Sequence, residues 1–139
     1  MNLTLNKDFI KNVFILEDNE ERITWFKKTF DFANLFITKL AGVAIERLKV
    51  IKYDIIFLDH DLGSEHYGED DLFNNGCLVA ESLSYSINKY TPVIIHSSNY
   101  PAALRMESTL ILSGSTTSVR IPFPELMKTI EINESTKEG

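Results

Sequence analysis

The sequence predicts an α/β fold, a three-layer sandwich in which helices cover both faces of a five-stranded parallel sheet. Short apolar stretches alternate five times with amphipathic stretches of helical spacing along the 139 residues. Three of the apolar stretches, VFIL, DIIFL and PVII, are continuous rather than alternating. Continuous apolar strands are typical of parallel sheets, because helices cover both faces of such a sheet.

Two strand–helix units are predicted in the N-terminal half. Residues 12–17, NVFILE, form a buried strand, and Asn19 can cap a helix over residues 20–30. Residues 34–40, NLFITKL, form the second strand, and a helix over residues 43–52 follows it. The apolar side chains expected to face the core from these helices are Ile23, Trp25, Phe26 and Phe30 in the first, and Val43, Ile45, Leu48 and Ile51 in the second.

A third strand, a long loop and a third helix come next. Residues 54–59, DIIFLD, form the strand, and residues 60–76 form a loop rich in acid and glycine. A loop of that length within a compact domain is usually functional or mobile. The third helix is predicted over residues 76–90, with an apolar stripe of Leu78, Val79, Leu83 and Ile87.

The C-terminal part completes the alternation. Residues 91–97, TPVIIHS, form a strand with proline near its start, where the missing backbone donor does least harm. The remaining predicted elements are a helix over 101–112, a short strand near 116–121, a helix over 124–132 and a polar tail over 133–139. Residues 1–139 are therefore expected to form a single domain with its core in about residues 10–130.

Composition and charge exclude several functional classes. Hydrophobic residues make up 44% of the chain, and no apolar run reaches the roughly 18 residues that span a bilayer. The polar N-terminus lacks a secretion signal and the one cysteine, Cys77, cannot form an internal disulfide, so a cytoplasmic location is predicted. The net charge of −6 without a basic run excludes an extended nucleic-acid-binding face. An anionic ligand therefore needs a metal ion, a local arginine or backbone amides.

Polar side chains collect at the carboxyl ends of four predicted strands, the edge where open α/β sheets form their ligand crevice. The residues concerned are Glu17 and Asp18, then Asp59, His60 and Asp61, then His96, Ser97, Ser98 and Asn99, and finally Arg120. Two carboxylates about 5 Å apart repel by roughly 3 kcal/mol at an effective dielectric near 20, so several together need a counter-ion. Carboxylate ligands favour a hard divalent cation, Mg²⁺ or Mn²⁺, and nearby histidines leave a softer metal such as Zn²⁺ open.

These residues give the chain a resemblance to the receiver domains of response regulators. FILEDNEER, residues 14–22, resembles the first receiver strand with its acidic pair, and Asp59 falls at the position of the phosphoacceptor aspartate. Gly76 and Ser97 match the glycine that opens the third receiver helix and the receiver hydroxyl. The resemblance covers about residues 10–130 and implies the flavodoxin-like receiver fold. Receiver-like folds often pair through their later helices, so a homodimer is also expected.

The departures from the receiver pattern resemble a divergent branch, the cyclic-phosphate processing receiver-like domains. Receivers carry lysine before their final proline, whereas this chain has Ile121 there. The hallmarks of the branch are an aspartate followed by arginine four residues on, an LDHDLG strand end and an HSxN motif. The counterparts here are Asp18 with Arg22, residues 58–63, and residues 96–99. The resemblance implies a metal-dependent phosphoesterase that acts on a cyclic phosphate of a nucleotide, an RNA end or a related small molecule.

The resemblance and the chemistry of the side chains give each candidate residue a role. The candidate metal ligands are Asp18, Asp59, Asp61 and Glu17. The candidate catalytic residues are Asp59, His60, His96, Arg22 and Arg120, and the candidate substrate contacts are Ser97 and Asn99. One of the arginines would clamp a phosphate oxygen, since a guanidinium matches phosphate geometry. One of the histidines would protonate the leaving oxygen or activate water, and Asp59 can instead attack phosphorus itself.

Structural roles and two other functions stay open from the sequence. Arg22 can pair with Asp18 or with a glutamate of its own helix, Asn99 can cap the helix that follows it, and His96 is structural if its ring packs into the sheet. A phosphoacceptor receiver is the first alternative function, and the residues it needs are all present: Asp18, Asp59 and Ser97. A non-catalytic module that sequesters a nucleotide is the second.

Overall fold

The computed structural model describes residues 2–62, 74–114 and 117–134 of the chain. Residues 63–73 of the predicted loop and 135–139 of the predicted tail lie outside this part. The strands are β1 (Leu3–Asn6), β2 (Asn12–Leu16), β3 (Asn34–Thr38), β4 (Ile55–Leu58), β5 (Val93–Ile95), β6 (Ser118–Arg120) and β7 (Ile130–Asn133). The helices are α1 (Glu20–Thr29), α2 (Ala41–Val50), α3 (Gly76–Ser82), α4 (Tyr100–Leu112) and α5 (Phe123–Thr129), with a 3-10 turn over Leu83–Tyr85.

Strands β2 to β6 form one parallel sheet in the order β3-β2-β4-β5-β6, which confirms the predicted five-stranded parallel sheet. The chain leaves β2 toward β3 on one side and later returns to β4 on the other side. In such sheets the ligand crevice lies beyond the carboxyl ends of the strands where the order reverses. The topology therefore places the crevice above β2 and β4.

Helices cover both faces of the sheet and give the predicted three layers. On one face, α2, α3 and α4 pack against side chains that include Leu16 and Leu58. On the other face, α1 and α5 contribute to an aromatic cluster with Phe57 of β4. Successive side chains of a strand point to opposite faces, so neighbouring residues of β2 and β4 belong to different clusters. This alternation decides which polar residues at the strand ends can meet.

Asparagine side chains cap the two helices that begin beside the crevice. Asn19 accepts a hydrogen bond from the backbone N–H of Arg22 at 3.0 Å, which confirms the predicted cap of α1. Asn99 accepts one from the backbone N–H of Ala102 at 3.3 Å and caps α4. Each cap satisfies one of the free N–H groups at a helix start and fixes where the helix begins.

The predicted buried stripe of the second helix is wrong at two positions. Val43 is 43% exposed and Ile51 is 39% exposed, whereas Ala41, Ala44 and Leu48 are buried. Positions three and four residues apart lie on one helix face, and Val43 does not belong to the face that holds Leu48 and Ala44. The small alanines let α2 lie close to the sheet.

The third helix is shorter than predicted. It ends at Ser82 and continues only as the 3-10 turn, and Ile87, expected in the buried stripe, is 52% exposed. The hydroxyls of Ser82 and Ser84 donate to backbone carbonyls three residues earlier, at 2.7 and 3.1 Å, and that of Ser86 donates to a carbonyl of α2. Serine hydroxyls that bond to the backbone offer it an alternative to the helix, which explains the early end.

The predicted helix over residues 124–132 is wrong at its C-terminal end. Helix α5 ends at Thr129, and the next four residues form β7, which pairs in parallel with β1. Ile130 and Ile132 are half-buried while Glu131 is exposed, the alternation of a strand. The side chains of this two-stranded ribbon that pack against the aromatic face of the core are Leu3, Leu5, Ile130 and Ile132.

Candidate functional site

Three buried polar side chains form a row across neighbouring strands. Glu17, Asp59 and His96 directly follow β2, β4 and β5, which lie side by side in the sheet. The strand register aligns the last residues of those strands, which are Leu16, Leu58 and Ile95. The next residue of each strand therefore falls on the same line and on the same face of the sheet. The exposed fractions of the three residues are 0%, 4% and 0%, respectively.

Both carboxylate oxygens of Glu17 are fixed by hydrogen bonds. Its Oε2 accepts from the backbone N–H groups of Asp18 at 3.0 Å and Asn19 at 3.1 Å. Its Oε1 lies 2.9 Å from Nε2 of His96. A carboxylate fixed at both ends holds the imidazole in one orientation, so Glu17 and His96 act as a unit.

The His96 ring is packed among aromatic side chains. Its centroid lies 5.3 Å from the ring of Phe26, 6.4 Å from Phe57 and 6.3 Å from Phe123. The side chain is fully buried, and its Nδ1 has no hydrogen-bond partner in the part of the chain that the structure describes. The ring is therefore packed against the sheet, which was the condition given above for a structural role of His96. Its Nδ1 is the nitrogen without a partner among the described residues.

Arg22 brings a positive charge to the row from the first turn of α1. Its Nη1 lies 3.7 Å from Oε1 of Glu17 and 4.0 Å from Oδ2 of Asp59. Both distances lie within ion-pair range but beyond hydrogen-bonding distance. Its guanidinium also lies over the Phe123 ring, 5.0 Å from the centroid. The carboxylates within ion-pair range of Arg22 are thus those of Glu17 and Asp59, which the sequence did not name as its partners.

Burial and neighbouring charges shift the pKa values of the two carboxyl groups of the row in opposite directions. Burial raises the pKa of Asp59, and the charge of Glu17 adds to this, so the pKa reaches about 6 although His96 and Arg22 oppose the rise. Burial also raises the pKa of Glu17, but the hydrogen bond and charge of His96, together with Asn19 and Arg22, bring that pKa below its usual value. Asp59 is therefore the carboxyl that takes up a proton first.

The row offers ligands that fit a divalent cation. Glu17, Asp59 and His96 each present one ligand atom, and these atoms lie within 4.8 Å of one another. Carboxylates and imidazole are common ligands of divalent metals, and one arginine leaves part of the carboxylate charge without a counter-ion. Among the described residues, the other two predicted metal ligands, Asp18 and Asp61, are not members of this cluster.

A second polar group lies at the rim of the row. Nδ1 of His60 lies 2.7 Å from Oδ1 of Asp61, and Nδ2 of Asn99 donates to the two Asp61 oxygens at 3.2 and 3.4 Å. Hydrogen bonds with Cys77 and Asp61 raise the pKa of His60 above its usual value, although partial burial opposes this. His60 is therefore an oriented imidazole that keeps its proton to a higher pH than a free histidine does.

The predicted substrate contacts have structural partners as well. Ser97 is buried, and its Oγ accepts a hydrogen bond from the backbone N–H of Asn99 at 3.1 Å. The amide of Asn99 caps α4 through its oxygen and bonds to Asp61 through its nitrogen. Asn99 thus caps α4, as predicted for its structural role, and also holds Asp61 at the rim of the site.

Arg120 is engaged away from the row. Its Nε donates to Oε1 of Glu107 at 3.0 Å, and its guanidinium lies 5.3 Å from the ring centroid of Tyr100. Both partners belong to α4. Of the two predicted phosphate clamps, Arg22 is therefore the one that the fold places beside Glu17 and Asp59.

Two neighbours of the site, Cys77 and Gly76, were not among the predicted site residues. Cys77 forms a hydrogen bond with His60 and is only half-buried. Gly76 donates its backbone N–H to the His60 carbonyl at 3.0 Å, and a Cβ there would lie 2.1 Å from the carbonyl oxygen of Asp59. The sequence carried one signal for this close approach, a glycine at the start of a predicted helix.

Residues 13–111 match the family model of the cyclic-phosphate processing receiver domain. The chain belongs to this family. The match runs from β2 to α4 and includes both the aspartate–arginine pair at the start of α1 and the polar ends of β4 and β5. It confirms the resemblance drawn from the sequence motifs.

Solved structures show the same fold as this cyclic-phosphate processing receiver domain. The receiver domain of the sensor histidine kinase PA1611 from Pseudomonas aeruginosa, with magnesium in its active-site cleft, has a TM-score of 0.60 at 17% identity, covering 85% of this chain and 92% of that one. The receiver domain of HemR from Leptospira biflexa has a TM-score of 0.59 at 19% identity, and the match covers 81% of this chain and 83% of that one. The receiver domain of the Francisella response regulator 1452 has a TM-score of 0.58 at 19% identity, and the match covers 86% of this chain and 93% of that one. These likenesses confirm the flavodoxin-like receiver fold.

No curated protein matches the chain. Among the described residues, no helix combines the length and the apolar character that crossing a membrane requires.

Proposed function

We propose that this receiver domain is a metal-dependent phosphoesterase that opens a cyclic phosphate of a nucleotide, an RNA end or a related small molecule. The observation that carries the proposal is the buried row of Glu17, Asp59 and His96 with Arg22 beside it. Hydrolysis of a cyclic phosphodiester needs charge neutralisation, an activated water and a proton for the leaving oxygen. The described residues offer a candidate for each.

Glu17 and Asp59 are the candidate carboxylate ligands of the cation. A bound divalent metal would polarise the phosphate and make a coordinated water a better nucleophile. The Pseudomonas receiver domain of the same fold carries magnesium in its active-site cleft, which supports a cation at this edge of the sheet. The burial of both carboxylates strengthens their attraction for a cation, because the surroundings screen charge poorly.

Arg22 is the candidate phosphate clamp. Its side chain is 27% exposed and stays beyond hydrogen-bonding distance of both carboxylates, so it is not locked to either. A divalent cation at the carboxylates would repel the guanidinium, whereas a phosphate oxygen would attract it. The arginine would therefore hold the substrate anion next to the cation.

His60 is the candidate proton donor. His96 is fully buried and its Nε2 is engaged by Glu17, whereas His60 lies at the rim and is oriented by Asp61. Its raised pKa means that it keeps its proton to a higher pH than a free histidine does. In the reaction, water adds to phosphorus and releases one proton, the ring P–O bond breaks, and the departing alkoxide takes a proton from His60, which the proton released by water then replaces. The product is a phosphomonoester with a free hydroxyl group.

The test is a screen of cyclic phosphate esters with the full chain, using 2′,3′-cyclic nucleotides, 3′,5′-cyclic nucleotides and RNA ending in a cyclic phosphate. Each would be incubated with Mg²⁺, Mn²⁺ or Zn²⁺ and with a chelator. We expect metal-dependent turnover of at least one substrate, lost in Asp59→Asn and retained in Asp31→Asn, an exposed carboxylate after α1. The absence of turnover with every metal, or turnover that survives Asp59→Asn, would contradict the proposal.

A phosphoacceptor receiver is the second candidate function. The observation in its favour is that Asp59 and Ser97 are buried at the ends of β4 and β5, in a fold shared with response-regulator receivers. Incubation with acetyl phosphate and Mg²⁺ would then give an acid-labile phosphoryl adduct, detected by intact-mass spectrometry and absent in Asp59→Asn. A stable adduct without turnover of any cyclic ester would favour this function over the esterase.

A further inference from the structure

The candidate metal site contains a nitrogen ligand, and this feature separates it from a site built of carboxylates alone. We infer that the site selects a transition-metal ion of the Mn²⁺ to Zn²⁺ series over Mg²⁺, with the imidazole of His96 as the nitrogen ligand beside Glu17 and Asp59. The inference deepens the proposed function and rests on the metal site proposed there.

The spacing of the three side chains suits a shared ion. Their ligand atoms lie within 4.8 Å of one another, and Nε2 of His96 is 2.9 Å from Oε1 of Glu17. Two ligand atoms that each lie about 2.1 Å from one ion are roughly 3 Å apart at a right angle. The register of three adjacent strands holds the three side chains side by side, so an ion among them would have all three within reach.

Nε2 is the nitrogen of His96 that faces the row, since it lies 2.9 Å from Oε1 of Glu17. A neutral imidazole has one N–H and one bare lone pair. An ion between these two groups would bind the lone pair of Nε2 and replace the proton that Nε2 and Glu17 share, and the N–H of the ring would then lie on Nδ1.

The surroundings of the row disfavour Mg²⁺. This ion prefers six oxygen ligands and usually keeps several of its waters. The row is buried, and the rings that border His96, those of Phe26, Phe57 and Phe123, offer no oxygen ligands. Imidazole binds softer transition-metal ions better than it binds Mg²⁺. An all-oxygen site would instead draw on the less buried carboxylates of Asp18 and Asp61.

Nitrogen ligation can be measured directly in the unmodified protein. The full chain would be prepared with ¹⁵N-labelled histidine and loaded with Mn²⁺, and pulsed EPR would detect the coupling between the metal and a nitrogen. We expect a histidine nitrogen coupling in the wild type that changes with the isotope. The coupling should persist in His60→Gln and disappear in His96→Gln, with circular dichroism as the check that both variants are folded.

Competition with Mg²⁺ tests the selectivity. We expect Mn²⁺ or Zn²⁺ to bind the wild type at least about 100-fold more tightly than Mg²⁺, and this ratio to fall by about tenfold or more in His96→Gln but not in Asp18→Asn. If His96→Gln does not fold, the labelled wild type still decides whether a histidine is bound.

Two results would overturn the inference, and they have different consequences. Mn²⁺ that binds without any histidine coupling, is displaced equally well by Mg²⁺ and is lost in Asp18→Asn would place the ion on carboxylates alone. The proposed esterase would survive that result if turnover remained metal-dependent. Binding of no divalent cation at all would overturn both the inference and the proposed function.

Discussion

Asp59 is a buried carboxyl group whose raised pKa makes it a source of instability in the metal-free protein. Its pKa is about 6 in the fold against an ordinary value of 3.8, so the folded state holds a proton that the unfolded state has released. Stability therefore falls as the pH rises from about 4 to above 6. At pH 8 the ionised Asp59 costs roughly 3 kcal/mol, because one pKa unit corresponds to about 1.4 kcal/mol.

We therefore predict that Asp59→Asn raises the thermal stability of the metal-free protein at pH 8. The neutral amide removes the buried charge, and the gain should disappear near pH 4, where the wild-type carboxyl is itself protonated. Thermal unfolding in the presence of a chelator at both pH values measures this, with Asp31→Asn as the exposed control. With saturating Mn²⁺ the order should reverse, since the variant loses a metal ligand. A variant less stable than wild type at pH 8 without metal would show that Asp59 contributes a needed interaction instead.

Replacement of Arg22 should weaken substrate binding, because this arginine is the candidate phosphate clamp. Arg22→Gln should raise KM for a cyclic phosphate by about tenfold to 100-fold, since a hydrogen bond to a charged group contributes about 1.5 to 3 kcal/mol. Metal affinity should rise in the same variant, because the guanidinium within 4.0 Å of Glu17 and Asp59 no longer competes with the ion. Steady-state kinetics and Mn²⁺ titration measure both effects. Lys28→Gln on the exposed side of α1 should change neither, and an unchanged KM in Arg22→Gln would exclude the clamp.

Much of the site could be predicted at the residue scale, because residues that follow neighbouring parallel strands must meet at one edge. Asp59 and His96 were expected there for that reason. The structure adds that Glu17 shares their face, which follows from strand alternation once the register is known. The pairing of Arg120 with Glu107 and of His60 with Cys77 depends on where α4 and α3 lie, and no local pattern specifies that.

At the scale of the elements, the close approach of α3 to the end of β4 depends on one glycine. Gly76→Ala would place a Cβ 2.1 Å from the Asp59 carbonyl oxygen and 2.8 Å from Cε of Met106. The methionine end can yield, but the backbone oxygen cannot without a shift of β4 or α3. We predict a loss of about 1 to 3 kcal/mol or more in unfolding free energy and weaker Mn²⁺ binding.

The matched control for this prediction is Gly42→Ala in α2. A Cβ at Gly42 would have no heavy atom within 4 Å outside its own helix and chain neighbours, so the substitution should stabilise the protein by about 0.5 to 1 kcal/mol through helix propensity. Urea unfolding of both variants measures the contrast. Equal stability of the two alanine variants would mean that the approach of α3 to Asp59 is looser than the distances indicate.

The ends of the helices were harder to predict than their existence. Asn19 fixed the start of α1 because a side-chain cap is a local signal. The end of α3 depends on serine hydroxyls that bond to the backbone, and Ser86 reaches a carbonyl of α2 that is distant in sequence. The buried face of α2 is set by how near its alanines lie to the sheet. These are properties of tertiary packing, which a helical repeat in the sequence does not contain.

For the whole molecule, the alternation of strands and helices was sufficient to predict the sheet, the layers and the edge that carries the site. The pairing of β1 with β7 was not predicted, because it joins segments near opposite ends of the chain. The residues of β7 follow α5 without a glycine or proline, so helical spacing continued through them. Their side chains alternate only because β1 lies beside them, with Leu3 aligned to Ile130 and Leu5 to Ile132.

The β1–β7 ribbon gives the last prediction, since it covers the face of the core that also holds Phe26 and Phe57. Ile132→Ala should lower the unfolding free energy by about 1 to 2 kcal/mol, because Ile132 is half-buried against that face. Glu131→Ala on the opposite, exposed side of the same strand should change it by less than about 0.5 kcal/mol. Chemical unfolding followed by the fluorescence of Trp25, which packs on the same face, reports the loss. Because the aromatic rings around His96 belong to this face, Ile132→Ala should also weaken Mn²⁺ binding slightly. Equal losses of unfolding free energy in Ile132→Ala and Glu131→Ala would mean that the ribbon does not stabilise the core.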